Sequence, residues 1–306
     1  MDTVPKPKMM LNHMKKWIAD GLKLVGREMP AGLVKPFVDF VPKCRALAFV
    51  LPEGHDFLFR KFLGRFSVLI DVKYPIEIAM LWNRYEPELM SVIRKCVPVG
   101  GTAFDIGGNV GAITLALADK VGHAGRVYSF EPGPVIFGRL VNNLDLNPDL
   151  KEVVFPQMLG LSDEEGSLMY YELGHYRGDG VLYPPDGTWE CHESFQVNVT
   201  TIDLFASRQE MRRIDFMKID VEGMEQAVLR GGLKTISAFR PILYLETLVE
   251  LGPGNFSGVE GILKPMEYEM FKVGSDGGLL PATAGDFQDN TIAVHRDCSA
   301  NVRSMT

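Results

Sequence analysis

Cysteine is sparse and scattered in this sequence. Cys44, Cys96, Cys191 and Cys298 form no CxxC pair and no metal-finger spacing. A chain of 306 residues needs no disulfide scaffold to hold a core, so reduced thiols and a cytoplasmic location are expected. Long apolar runs are lacking too. Residues 46–51, the longest run near the start, are far too few to cross a bilayer. No early segment combines a basic start, an apolar centre and a cleavage site, which argues against a signal peptide. The sequence has no internal repeat or low-complexity tract. It also lacks an overall positive charge: the net value of −7 speaks against a nucleic-acid partner.

What is present suits a soluble enzyme with a full core, at 46% hydrophobic and 23% charged residues. The charge is uneven. Residues 1–75 carry 13 Lys and Arg against 7 Asp and Glu, whereas the remainder is strongly acidic. This predicts an amino-terminal extension over 1–80, a main domain over 81–296 with an insertion at about 166–199, and a tail over 297–306. Within the extension, Met10, Met14, Trp17, Ile18, Leu22 and Val25 recur at helical spacing among Lys15, Lys16 and Lys23. Residues 9–25 read either as a helix packed on the main domain or a second copy, or as a basic amphipathic helix making peripheral contact with an anionic membrane. Residues 57–71 suit one or two small strands.

From residue 82 the pattern alternates. A helix starts at Glu86-Pro87-Glu88, where proline and acidic residues suit the first turn. Strands are predicted at 102–106, 126–130, 153–159, 214–219, 242–245, 268–273 and 291–295. Helices are predicted at 110–121, 134–146 and 222–230. The alternation implies an α/β, Rossmann-like fold: a mostly parallel seven-stranded sheet with helices on both faces. Ligands in such sheets bind beyond the carboxyl ends of the strands, where strand order reverses.

Two constellations fall at strand ends. Asp105 closes one strand, and Gly107, Gly108, Asn109 and Gly111 follow in a turn that opens a helix. Glycine lets a backbone bend tightly beneath a ligand, and a helix amino terminus favours an anion. Glu131, in Phe130-Glu131-Pro132, closes the next strand, where a carboxylate can accept both ribose hydroxyls. The dinucleotide pattern GxGxxG fails, because its second glycine falls on Asn109 or Val110. Asp105 ahead of the turn suits a cationic ammonium better than a pyrophosphate. These residues therefore point to S-adenosylmethionine. The second constellation, Lys218-Ile219-Asp220-Val221-Glu222-Gly223-Met224-Glu225, puts Asp220 beside the crevice. Glu225 reads as a complement to the helix dipole, and Glu222 as a cap of the same helix.

Tyr85-Glu86-Pro87-Glu88, the first constellation, Asn143-Leu144-Asp145-Leu146-Asn147 and the second constellation, taken in this order, resemble the FkbM family of methyltransferases over roughly residues 82–248. The resemblance implies a class I, S-adenosylmethionine-dependent enzyme acting on hydroxyls of sugars or other small natural products. It implies that Glu86, Asp105, Gly107, Gly108, Asn109, Gly111, Glu131 and Pro132 line the cofactor site, with Gln157 and Leu159 near the adenine and Asp220 at the methyl group. Family members often carry alanine in place of Gly108, a change expected to matter little.

For a hydroxyl acceptor, Asp220, Glu222, His175 and His192 are the candidate bases. Asp220 and Glu222 would suit a hard cation but lack a clear third ligand, so no metal site is assigned. N-methylation is the rival chemistry, although no Asn/Asp-Pro-Pro-Tyr/Phe signature follows residue 219. A scaffold recruited through the basic extension is the rival from outside enzymology. The aromatic residues of the insertion suit either stacking on a sugar or closing a small core.

Overall fold

A computed structural model describes residues 56–71, 75–81, 85–173, 180–182, 191–247, 254–274, 278–282 and 290–298. The expected helix at 9–25 lies outside the described residues. The chain divides into two units, residues 1–85 and 86–306.

In the first unit, β1 (Phe57–Phe62) and β2 (Phe66–Ile70) form an antiparallel hairpin, followed by α1 (Pro75–Leu81). Leu63 and Gly64 turn the hairpin with φ of 51° and 83°.

The second unit opens with α2 (Pro87–Cys96), whose Leu89, Met90, Val92, Ile93 and Cys96 are buried. Its proline start, Glu88 in the first turn and Arg94 and Lys95 in the last complement the helix dipole. There follow β3 (Thr102–Ile106), α3 (Ala112–Val121), β4 (Arg126–Phe130), α4 (Pro134–Asp145) and β5 (Val154–Gln157). The insertion contains β6 (Gly160–Leu161), β7 (Gly166–Leu173), β8 (Gly180–Val181) and β9 (Cys191–Thr200). After it come α5 (Ile202–Arg208), β10 (Phe216–Ile219), α6 (Glu225–Arg230), α7 (Leu233–Phe239), β11 (Ile242–Glu246), α8 (Gly254–Leu263), β12 (Tyr268–Val273), β13 (Leu279–Pro281) and β14 (Asn290–His295).

The main sheet runs β13-β12-β14-β11-β10-β3-β4-β5. β5, β4, β3, β10 and β11 are parallel, while β14 lies antiparallel between β11 and β12. The fold class is the expected one. The difference is an eighth strand, β13, a three-residue edge too short for any hydropathy pattern to mark. Every residue of β3 and β10 is buried, as strands covered on both faces must be. From β3 the chain proceeds to β4 and β5 on one side, then returns through β10 and β11 on the other. Strand order therefore reverses between β3 and β10.

Among the described residues four helices, α1, α5, α7 and α8, escape the periodicity reading. α5 is a single short turn system capped by Thr201, whose hydroxyl accepts from Leu204 N at 3.0 Å. Its Asp203 caps α7 in turn, accepting from Thr235 N at 2.8 Å. Phe205 of α5 packs against Phe104, Tyr128 and Phe130, with ring centroids 5.8, 5.6 and 4.8 Å away. Each such edge-on pair adds about 0.5–1.5 kcal/mol beyond simple burial. The insertion is a β7–β9 hairpin, extended by β6 and β8 into a small second sheet. Among the described residues, no helix is long and apolar enough to cross a membrane.

Candidate active site

The reversal of strand order sets the carboxyl ends of β3, β4, β10 and β11 side by side, and each ends on or next to a carboxylate. The glycine turn after β3 is built as its sequence requires. Gly107 and Gly111 have φ of 83° and 93°, and a methyl at Gly107 would stand 1.9 Å from the Asp220 carbonyl oxygen. The N–H groups of Gly107 and Gly108 both donate to Phe130 O, tying the turn to the end of β4. A methyl at Gly108 would stand 2.3 Å from Ser129 Oγ, which is engaged with Thr114 Oγ1 in a buried contact. Alanine at this position would force Ser129 to move. Asn109 adopts a left-handed φ of 47°, and its side chain accepts from Val110 N. Asn143 Nδ2 donates to Val110 O, so the Asn-Leu-Asp-Leu-Asn stretch anchors the turn from α4.

Asp105, expected at the methionine end of the ligand, is fully buried beneath this turn. One oxygen accepts from Thr114 Oγ1 at 2.6 Å, and the other lies 3.8 Å from Lys218 Nζ. Burial pushes its carboxyl up, against the opposing pull of Lys218 and Thr114.

Glu131 stands at the end of β4, 6% exposed. Oε1 accepts from Gly133 N at 3.0 Å and Oε2 from Asn109 N at 2.9 Å. Burial pushes the carboxyl up to about 7, although both N–H groups pull the other way. Each oxygen keeps a second lone pair. Gln157 closes β5 and accepts from Glu131 N through its carbonyl. Leu159 packs against the core, while Met158 between them is exposed. Glu86 stands ahead of α2 with a left-handed φ of 43°, and its carbonyl accepts from Met90 N. It also lies within electrostatic reach of Tyr244 on β11.

On the opposite side, Asp220 follows β10 with its side chain one-third exposed. Lys218, buried on β10, donates to Gly107 O at 2.7 Å and reaches Asp220 Oδ2 at 3.0 Å. Burial tends to raise Asp220, but Lys218 and a hydrogen bond with Glu246 hold it below the usual carboxylate range. Glu246 responds the other way. Burial and the Asp220 charge beside it push it up to about 10, so it is protonated at neutral pH.

Glu225 lies in the first turn of α6 as expected, but Glu222 does not cap that helix. Glu222 sits outside the helix at a left-handed φ of 51°. Glu225 is fully buried, and its Oε1 ties down the turn before α6 by accepting from both Val221 N and Gly223 N at 3.2 Å. Oxygens of Asp220, Glu222 and Glu246 come within 4.8 Å of one another. Such a trio has the hard oxygen donors a divalent cation takes, and it equally accommodates a proton shared between two carboxylates. Glu246 and Lys218 are the residues sequence reading missed. Glu246 closes an apolar strand, the same signal that marks Asp220. His175 lies outside the described residues; His192 lies on β9, with its side chain also outside them.

The fold is a Rossmann-like α/β domain with carboxylates gathered where strand order reverses. Residues 105–270 match the model of the Methyltransferase FkbM domain, more than half the chain, and the protein belongs to that family. It is similar to Methyltransferase 1 of Beauveria bassiana, 31% identical over 144 residues, covering 42% of this chain and 56% of that protein. It is also similar to Hexuronic acid methyltransferase AglP of Haloferax volcanii, 26% identical over 150 residues, covering 48% of this chain and 56% of that one. The chain thus spans little over half the length of these curated relatives. Among solved structures, the Methyltransferase FkbM of Methylobacillus flagellatus matches at 16% identity and a TM-score of 0.41, covering 72% of this chain and 52% of that chain.

Proposed function

We propose that this protein is an S-adenosylmethionine-dependent methyltransferase that methylates a hydroxyl of a sugar, glycan or other small acceptor. The observation that carries this reading is the placement of Glu131 and Asp220 at the carboxyl ends of β4 and β10, the two neighbours of β3. Glu131 fits a ribose: two anchored oxygens, each bonded once to a backbone N–H, retain the lone pairs that two vicinal hydroxyls need. Bound S-adenosylmethionine supplies a methyl group on a sulfonium, already an excellent leaving group.

The protein's task is then alignment, which supplies several kcal/mol of barrier reduction when the acceptor oxygen is held against the methyl carbon. Lys218 ties the two sides together, because its ammonium holds both the Gly107 carbonyl and Asp220. Asp220 remains ionised at neutral pH and accepts the proton of the acceptor hydroxyl as the new C–O bond forms. Glu246, protonated, steadies that charge by donating to it. The relation to a hexuronic acid methyltransferase supports a sugar acceptor. Methyl-transfer assays over a panel of uronic acids, neutral sugars, phenols and amines test the acceptor class. Turnover confined to amines would overturn the hydroxyl reading.

A further inference from the structure

The hairpin insertion carries none of the family motifs, yet it reaches the ribose carboxylate. Tyr170 on β7 is 4% exposed, and its ring tip enters a slot between two glycines from different segments. A methyl at Gly133 would stand 2.7 Å from the Tyr170 hydroxyl oxygen and 2.8 Å from Cζ; one at Gly180 would stand 1.9 Å from the same hydroxyl. Gly133 has φ −67° and ψ 117°, a conformation any residue adopts. Glycine at 133 therefore answers to the tyrosine and not to the backbone. The Gly133 N–H in turn donates to Glu131 Oε1, whose partner oxygen holds Asn109 N of the glycine turn. The small sheet touches this loop a second time beside Gly160, which packs against Val199 and Pro132.

We propose that Tyr170 is a positioning residue for cofactor binding: its ring clamps the Glu131–Pro132–Gly133 loop so that Glu131 is held ready for the ribose. This rests on the nucleoside reading of the site. A ring that merely closed the hairpin core would meet its own sheet alone. This one meets Gly180 of its own sheet on one side and the backbone beside the carboxylate on the other. The clamp also helps keep water from Glu131, in line with the upward push that burial gives its carboxyl.

The test is calorimetric titration of S-adenosylhomocysteine into the full chain and its variants, with thermal melts alongside. Tyr170→Leu should weaken binding about tenfold, the scale of one hydrogen bond to a charged group. Tyr170→Phe, which keeps the ring, should stay within about threefold. Combined with Glu131→Gln, Tyr170→Leu should add little further loss, because both act on one contact. Met169→Ala, on the outward face of the same strand, should bind as wild type. Folded Tyr170→Leu protein with wild-type affinity, or a full additional tenfold loss on top of Glu131→Gln, overturns the proposal.

Should Tyr170→Leu not fold, Gly133→Ala takes its place, since its backbone accepts alanine and its methyl displaces the tyrosine tip. Weakened binding supports the clamp, and unchanged binding overturns it. Amide hydrogen exchange without ligand separates the two readings. Faster exchange at Gly133 and Asn109 in Tyr170→Leu supports the clamp even if the wild type binds no nucleoside; unchanged exchange counts against it.

Discussion

The ends of β4 and β10 present the same chemical group under opposite electrostatics. Glu131 and Asp220 are both carboxylates closing apolar strands of one parallel sheet. Glu131 is surrounded by neutral N–H donors, and burial lifts it to about 7. Asp220 has the Lys218 ammonium at 3.0 Å and a protonated Glu246 beside it, and it stays ionised. A carboxyl near neutrality suits hydrogen bonding to hydroxyls that are only held. A fixed negative charge suits the side where a proton must leave.

Removing Lys218 should break this contrast most severely. Lys218→Met leaves Asp105 buried without its ammonium neighbour and frees Asp220 to rise, at a cost of about 3–5 kcal/mol. Urea denaturation at neutral pH measures it, and a loss below about 1 kcal/mol would mean Lys218 does not organise the site. Next comes Asp220→Asn, which should lower kcat by about 10²–10⁴ while leaving affinity for S-adenosylhomocysteine within a few-fold. Equal losses in kcat and affinity would place Asp220 on the cofactor side.

Glu131→Gln sharpens the opposite half. The folded carboxyl lies above its ordinary 4.5, so the associated stability is present below 4.5 and lost as pH rises through about 7. The ligand-free wild type should therefore lose on the order of 3 kcal/mol across that window, and Glu131→Gln should not. Parallel pH–stability curves for the two would contradict the burial argument. The smallest effect belongs to Glu246→Gln, in which an amide replaces a carboxyl already protonated until about 10. Its stability at pH 7.5 should change by less than about 1 kcal/mol. A Mg²⁺-induced rise in Tm that vanishes in this variant would instead give the acidic trio to a cation.

The sequence made legible what repeats a pattern or closes one. β3, β4 and β12 match their expected bounds, because continuous apolar runs between turn residues have few other readings. α5 and α7 were hidden because seven residues span barely two turns, too few to establish a period, and their caps act across the chain. At the site, motifs located Asp220 and Glu131 but not the residues that tune them. Lys218 looks like a charge interrupting a strand until the fold places Gly107 and Asp105 against it. Glu225 looks like a dipole complement alone until the fold shows its carboxylate also holding the 221–223 turn. The constraint on Gly108 comes from Ser129, twenty-one positions away on β4. Such roles exist only once strands are paired.

The division of labour between the two carboxylates is open to a direct check by calorimetry and single-turnover methyl transfer on three proteins. Wild type should bind S-adenosylhomocysteine, Glu131→Gln should bind about tenfold more weakly, and Asp220→Asn should bind normally yet fail to transfer the methyl group. Wild-type protein that binds no S-adenosylhomocysteine, or an Asp220→Asn variant that turns over at the wild-type rate, would contradict the account.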